Sequence, residues 1–410
     1  MYILGVNISH EPSACLLKDG KIVYFCEDDR LTGVKCPEGY HDDMLNNYDR
    51  TGEVVPLFHQ VETLKKYTTN IDYIIFSSFG RDSDIQDDDR LIIRSIINKI
   101  TSENIKFNTS LFYRENHHLY HGANAFYASG FEDAAALVMD GGGSYDDEYE
   151  EAKQYEFPFR EIESIYDCSY DFPFFKPKYK HYALLDSLGD EENEDDIFWK
   201  RTPAEIYSRS NSCGNLFAAM ATAFEMIEEQ TGTSAGKLMG LSGHRLASDD
   251  PKENFYVYRE YEKNKSIFTC DWFVEREGEW ITKPNLVYEL ENFLDEHDID
   301  FSLKENTLDF YICASLAHKL QHETFLHTCR LIKRAIKLTG KNKLVLSGGY
   351  FMNCVNNYKY TKAFPNVEFF VDPIPHDAGT AIGAAKYLWY GLTKSKEKFP
   401  FKHLYFGPEV

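Results

Sequence analysis

His117 and His121 lie four residues apart in His117-His118-Leu119-Tyr120-His121. On a helix that spacing puts two imidazoles on one face, about 5–6 Å apart at Cβ, which suits a single metal ion. His118 and His121, three apart, form a second pair that spacing alone equally allows. Two histidines are only half of a ligand set, and such clusters also occur as solvated or core-satisfied groups. Carboxylates are the natural complement. Asp140 ends a strand-like run and Asp377 opens a helix-like one, although Asp377 also suits a plain helix N-cap. Neutral imidazole with carboxylate oxygen favours iron(II), zinc or manganese over calcium.

Asp140 leads into Gly141-Gly142-Gly143-Ser144, where residues without Cβ let backbone N–H groups approach a phosphate. A hairpin turn into the next strand is an equal reading of that run. Ser347-Gly348-Gly349-Tyr350-Phe351-Met352-Asn353 follows another apolar run and can carry an adenosine, Asn353 bonding its sugar or base. A strand-to-helix turn is the plain alternative. In Gly236-Lys237-Leu238-Met239-Gly240, Lys237 stands beside two glycines, suited to a phosphate oxygen or simply to the surface. His10 ends the first apolar run between Ser9 and Glu11, where a cleft-facing imidazole can act as general base. Lys35 follows Glu27-Asp28-Asp29-Arg30, and an ion pair with Asp28 or Asp29 is its plain use.

The surrounding pattern is α/β. Tyr2–Ile8 reads as a buried strand, and Ala14–Leu17 with Ile22–Cys26 reads as a hairpin about Asp19-Gly20. Helical periodicity covers Glu53–Tyr67, Leu91–Ile100, Leu119–Ser129, Gly214–Thr231, Leu308–Leu338 and Ala378–Trp389. Strands are expected at Tyr73–Ser77, Ala134–Met139, Lys343–Ser347 and Val367–Asp372. Two strand-to-glycine-loop units in separate halves predict a duplicated α/β core around a cleft. From 150 to 209 the composition turns aromatic and acidic, with a charge run from Asp190 to Asp196 that reads as a solvated loop.

The 410 residues carry a formal charge of −22, which disfavours duplex DNA and anionic lipid as partners. No apolar run reaches the ~20 residues of a membrane span. Nine scattered cysteines without C-x-x-C spacing indicate neither a disulfide framework nor a zinc knuckle. A reducing, cytoplasmic setting is expected.

In order, the segments resemble the O-carbamoyltransferases of nodulation-factor and aminoglycoside-antibiotic biosynthesis. The resemblance rests on Asn7-x-x-His10-x-x-Ser13-Ala14, on Glu27 to Lys35, and on Asn116-His117-His118-Leu119-x-His121-x-x-x-Ala125-Phe126-Tyr127. Asp140-Gly141, Ser210-x-Ser212-x-Gly214-Asn215-Leu216, Gly236-Lys237-Leu238-Met239-Gly240-Leu241, Ser347-Gly348-Gly349-x-x-x-Asn353-Cys354 and His376-Asp377-x-Gly379 continue it. It implies the actin/Hsp70/sugar-kinase fold, related to the tRNA threonylcarbamoyladenosine transferases. Residues 1–130 would form one subdomain, 131–377 a second with an insertion near 150–209, and 378–395 a helix crossing back to the first. Residues 396–410 would be linker and the start of a YrdC-like domain, which makes carbamoyl-adenylate from carbamoyl phosphate and ATP.

The same resemblance assigns His117, His121, Asp140 and Asp377 to a metal, Fe2+ first and Zn2+ or Mn2+ as alternatives. It gives Gly141, Gly142, Gly143, Lys237, Gly348, Gly349 and Asn353 to the nucleotide. His10 would take the proton of an acceptor hydroxyl, with Lys35 near the carbamoyl group. Expected partners are a small-molecule or modified-nucleotide acceptor, a separate YrdC-like domain or protein, and a second copy in a homodimer. A tRNA threonylcarbamoyl transferase and a non-catalytic nucleotide-binding module are the competing readings.

Overall fold

The computed structural model describes residues 1–32, 58–78, 87–107, 111–113, 116–146, 159–184, 198–226, 235–244, 271–283, 285–296, 298–299 and 307–407. The chain opens with three strands, β1 (Tyr2–Asn7), β2 (Ser13–Lys18) and β3 (Lys21–Glu27). Asp19 and Gly20 join the last two with φ of 50° and 80°, the left-handed pair that a two-residue hairpin requires. A short strand β4 (Asn70–Ile71) precedes β5 (Tyr73–Ser77), and β6 (Lys106–Phe107) precedes β7 (Leu111–Tyr113). The sheet order is β3-β2-β1-β5-β7. β2 runs antiparallel to both neighbours, whereas β1, β5 and β7 are parallel. Helices α1 (Asp29–Thr32), α2 (Phe58–Leu64) and α3 (Asp87–Ser102) belong to this half. Leu4, Val6, Leu16, Ile74, Ile96 and Ile100 share its core.

The second sheet contains β8 (Asp133–Met139), β9 (Tyr145–Asp146), β10 (Phe159–Ser169), β11 (Phe175–Ala183), β12 (Phe198–Thr202) and β13 (Glu205–Ser208). A separate hairpin, β14 (Phe273–Arg276) with β15 (Glu279–Thr282), precedes β16 (Lys343–Ser347) and β17 (Glu368–Val371). The central path of this sheet is β11-β10-β8-β16-β17. Its first two junctions are antiparallel and its last two parallel. Each sheet therefore runs third, second, first, fourth, fifth with the same strand directions. That duplication is the actin-like α/β core expected from the sequence.

The remaining α-helices among the described residues are α4 (His117–Ser129), α5 (Cys213–Ala223), α6 (Ala235–Leu241), α7 (Leu286–Glu296), α8 (Leu308–Thr339), α9 (Cys354–Ala363) and α10 (Gly379–Thr393). α10 packs on β1, β2 and β5 and along α4, which in turn lies on β8 and β16. Small residues set that spacing: a Cβ on Gly383 would stand 1.9 Å from the Tyr120 carbonyl oxygen, and one on Gly5 2.1 Å from that of Ala381. Only glycine fits there, so two helices can sit between two sheets.

Two stretches differ from the sequence reading. The segment 150–209, expected as an insertion, supplies β10 to β13 in its described parts, and the Asp190–Asp196 run lies outside the described residues. Aromatic content masked the strands because Tyr166, Phe175, Tyr182 and Tyr207 are core residues of the sheet. The helix expected over Gly214–Thr231 ends at Ala223, where Phe224 caps it and Glu225 takes φ 52°; part of that range is undescribed. The described cysteines are free thiols, and no described helix is long and apolar enough to cross a membrane.

Candidate active site and metal centre

Helix α4 starts at the histidines. Its N-cap, Asn116, makes no side-chain capping bond; instead the His117 backbone N–H donates to Ser144 Oγ at 3.1 Å. One of the orphan donors of the first turn is thus satisfied by the glycine loop. All three histidines are completely buried. His117 Nε2 and His121 Nε2 face each other at 3.1 Å. Asp140 Oδ2 is 3.3 Å from His117 Nε2, and Asp377 Oδ1 is 3.3 Å and 3.5 Å from the two ring nitrogens. The structure thereby chooses between the two possible histidine pairs. His118 points elsewhere, its Nδ1 2.8 Å from Ser164 Oγ, with its ring so close under Gly143 that a Cβ there would be 2.6 Å away.

Donor atoms from His117, His121, Asp140 and Asp377 all lie within 4.8 Å of one another. Ligands about 2.0–2.1 Å from a tetrahedral ion stand about 3.4 Å apart, so the four observed edges fit a metal. Two buried imidazole nitrogens also cannot turn lone pairs on each other at such range unless a proton or cation lies between them. Burial disfavours charge on His117, yet the Asp377 and Asp140 carboxylates prevail and raise it to about 10. Against the same burial, His117 and neighbouring imidazoles hold Asp140 and Asp377 below the usual carboxylate range. His118 is pushed down to about 4 by burial and stays neutral. This is a cluster built for positive charge.

Two further loops meet it. Asp140 Oδ1 accepts from the Gly349 N–H at 2.9 Å, which binds the second glycine loop to the histidine–aspartate cluster. Gly348 takes φ 100°, and a Cβ there would be 2.1 Å from the Met139 carbonyl oxygen, so any other residue would push that loop off β8. On the other side His10 Nδ1 is 3.4 Å from Asp377 Oδ2, with more than half of the His10 side chain exposed. Glu11 Oε2 accepts from the Asp377 N–H at 3.0 Å and pairs with His376 Nδ1 at 2.8 Å. Burial lowers the affinity of His376 for a proton, but Glu11 and Glu27 overcome this and raise it to about 9.

His10, His117, His121, Asp140, Gly141, Asp377, Gly348 and Gly349 are accordingly brought together. Other expectations fare differently. The Gly143 N–H donates to the Glu161 carbonyl at 2.7 Å, and the Ser144 carbonyl accepts from Glu161, so this end of the glycine run is paired to β10 as a hairpin would be. The Gly141 carbonyl accepts from Ser212 Oγ at 2.8 Å; Gly142 is buried between them. Asn353 is 1% exposed. Its amide caps α9 through the Asn356 N–H and exchanges two hydrogen bonds with Gln321, work inside the fold rather than towards a sugar or base. Lys237 is exposed on α6 between glycines whose Cβ positions open onto empty space. Lys35 lies outside the described residues.

Glu11, His376 and Ser144 were not read from the sequence as site residues. Each is a chain neighbour of one that was, but the Glu11–His376 contact joins positions 365 apart, and no local signal marks it.

A family model described as "Carbamoyltransferase N-terminus" matches residues 90–386, a span holding His117, His121, Asp140 and Asp377. The chain belongs to this carbamoyltransferase family. Nodulation protein NolNO of Sinorhizobium fredii is 22% identical over 413 residues, covering 98% of this chain and 49% of the relative. Nodulation protein NolO of Bradyrhizobium diazoefficiens is 36% identical over 101 residues, 24% of this chain and 17% of the relative. The chain thus spans about half the length, or less, of these two family relatives. Among solved structures, the activator of the 2-hydroxyisocaproyl-CoA dehydratase from Clostridium difficile with bound ADPNP superposes with a TM-score of 0.43 at 14% identity, 95% of each chain covered. Full-length HypF in its phosphate- and nucleotide-bound form gives a TM-score of 0.40 at 14% identity, covering 96% of this chain and 56% of that one.

Proposed function

We propose that this member of the carbamoyltransferase family carries the transfer site of an O-carbamoyltransferase. It passes a carbamoyl group from carbamoyl-adenylate, itself made from carbamoyl phosphate and ATP, to an acceptor hydroxyl. The observation that carries this reading is the single carboxylate of Asp377, set between His10 and the His117/His121 pair. His117, His121, Asp140 and Asp377 would hold a divalent ion, Fe2+ first and Zn2+ or Mn2+ as alternatives. Bound there, it would supply charge neutralisation for the phosphate and the developing oxyanion.

The chain's own residues account for proton movement. A proton held on His10 Nδ1, 3.4 Å from Asp377 Oδ2, would leave Nε2 as the atom that takes the acceptor proton. The acceptor oxygen attacks the carbamoyl carbon, the bond from that carbon to the AMP phosphate oxygen breaks, and AMP leaves as an anion. Gly141 and Gly142, with Gly348 and Gly349, flank Asp140 from two sides and would face the nucleotide. Lys237 and Lys35 are proposed for the phosphate and the carbamoyl group. A YrdC-like domain or protein would deliver the adenylate.

A net charge of −22 argues against a long duplex contact and leaves an aminoglycoside, an oligosaccharide or a single hydroxymethylated pyrimidine as acceptor classes. The test supplies carbamoyl-adenylate directly, with each acceptor in turn, and looks by mass spectrometry for the carbamoylated product. Product with one class, lost in His10→Ala, supports the proposal. Protein that binds metal and an adenylate analogue yet carbamoylates none of the three overturns it.

A further inference from the structure

A second set of metal-ligating side chains lies within the second half of the molecule. Glu163 on β10, Cys213 at the start of α5 and His327 in α8 are each at most 3% exposed. One donor atom from each falls within 4.8 Å of the other two. We propose that these three residues hold a second divalent metal ion, of the zinc type that accepts sulfur, nitrogen and oxygen together.

The charge count is the first argument. Burying an ionised carboxylate in an apolar core is costly unless it is compensated, and Met139, Ile165, Phe217 and Phe273 belong to the same core cluster as Cys213. Carboxylate, thiolate and neutral imidazole around a dication sum to zero. A carboxylate–imidazole pair alone would need no sulfur in reach. The donor set is the second argument: thiolate, imidazole and carboxylate suit zinc or iron(II) and not magnesium or calcium.

The surroundings are the third. Glu163 Oε1 faces His327 Nε2, while Oε2 is held by His181 Nδ1 at 3.2 Å. His181 Nε2 in turn meets Ser208 Oγ at 2.6 Å, and Ser208 meets Ser210 at 2.7 Å. A ligating carboxylate fixed by its own hydrogen-bonded partners is the usual outer shell of a metal site. Phe273 stacks on His327 with centroids 4.4 Å apart, fixing the ring plane. On binding, the Cys213 thiol gives up its proton to solvent. The ion would tie β10, α5 and α8 together at Cys213, the residue after Ser212, whose hydroxyl caps α5 and holds the Gly141 carbonyl. None of Glu163, Cys213 and His327 is among the residues proposed for the transfer reaction.

Cobalt(II) separates the two sites because only the second contains sulfur. The full chain loaded with cobalt should show a near-ultraviolet thiolate-to-cobalt charge-transfer band. That band should persist in the His117→Ala/His121→Ala double variant and vanish in Cys213→Ser, with loss of about one metal equivalent by elemental analysis. His327→Gln should weaken it likewise. A cobalt-loaded wild-type protein without the band overturns the proposal whether or not the variants fold, as does metal content unchanged in both Cys213→Ser and His327→Gln.

Discussion

Asp377 turns one oxygen to His117 at 3.3 Å and the other to His10 at 3.4 Å. One buried carboxylate therefore joins the histidine pair of α4 to an imidazole three residues past the end of the first strand, and the Asp377 backbone N–H is held by Glu11. Asp377→Asn keeps the shape and removes the charge. Bound metal should fall by elemental analysis, as it should in the His117→Ala/His121→Ala double variant, while unfolding stays cooperative. Full metal occupancy in all of these proteins would rule out the ligand assignment.

His10→Ala should leave the buried cluster in place, because the His10 side chain is more than half exposed and meets the cluster at Asp377 Oδ2. Nucleotide affinity should be retained while transfer falls roughly 10²–10⁴-fold, the usual worth of a positioned general base. A parallel fall in binding, measured by titration calorimetry, would make His10 a binding residue instead.

The contact of α10 with α4 depends on Gly383. Gly383→Ala sets a methyl group 1.9 Å from the Tyr120 carbonyl oxygen, and backbone cannot yield as a flexible side chain does. A loss of about 1–3 kcal/mol or more in urea-induced unfolding is expected. An unchanged midpoint would mean that the two helices can move apart freely.

Asp372 carries a pH dependence. Its oxygens accept from Asn124, Ser347 and the Ile374 N–H, yet burial outweighs these bonds and raises it to about 7, against about 3.9 in an unfolded chain. The folded protein then binds a proton that the unfolded chain releases. This contribution to stability is complete below about pH 4 and lost as pH rises through 7, with a slope of about 1.4 kcal/mol per pH unit between. Asp372→Asn should flatten that part of the wild-type stability profile, whatever it does to the absolute level. Identical slopes in urea titrations from pH 4 to 7 would refute this.

Much of this molecule is legible in the sequence. Short continuous apolar runs place β1, β5, β8 and β16 nearly to the residue, and Asp19-Gly20 fixes a hairpin because so few residues accept two successive positive φ values. The i, i+4 histidines and the residues ending strands mark the candidate ligands, since local spacing alone decides which side chains share a helix face. What spacing could not decide was His117 over His118 as the partner of His121. That choice depends on which way α4 faces, which its packing against α10 and β8 determines. The pairing of Glu11 with His376, the work of Asn353 inside the fold and the strands of β10 to β13 were hidden for the same reason. Each depends on partners far along the chain, and an aromatic, partly charged segment takes its place in a sheet only when neighbouring strands bury it. The meeting of Glu163, Cys213 and His327 is the extreme case, three residues from three elements that only the closed second half brings within reach of one ion.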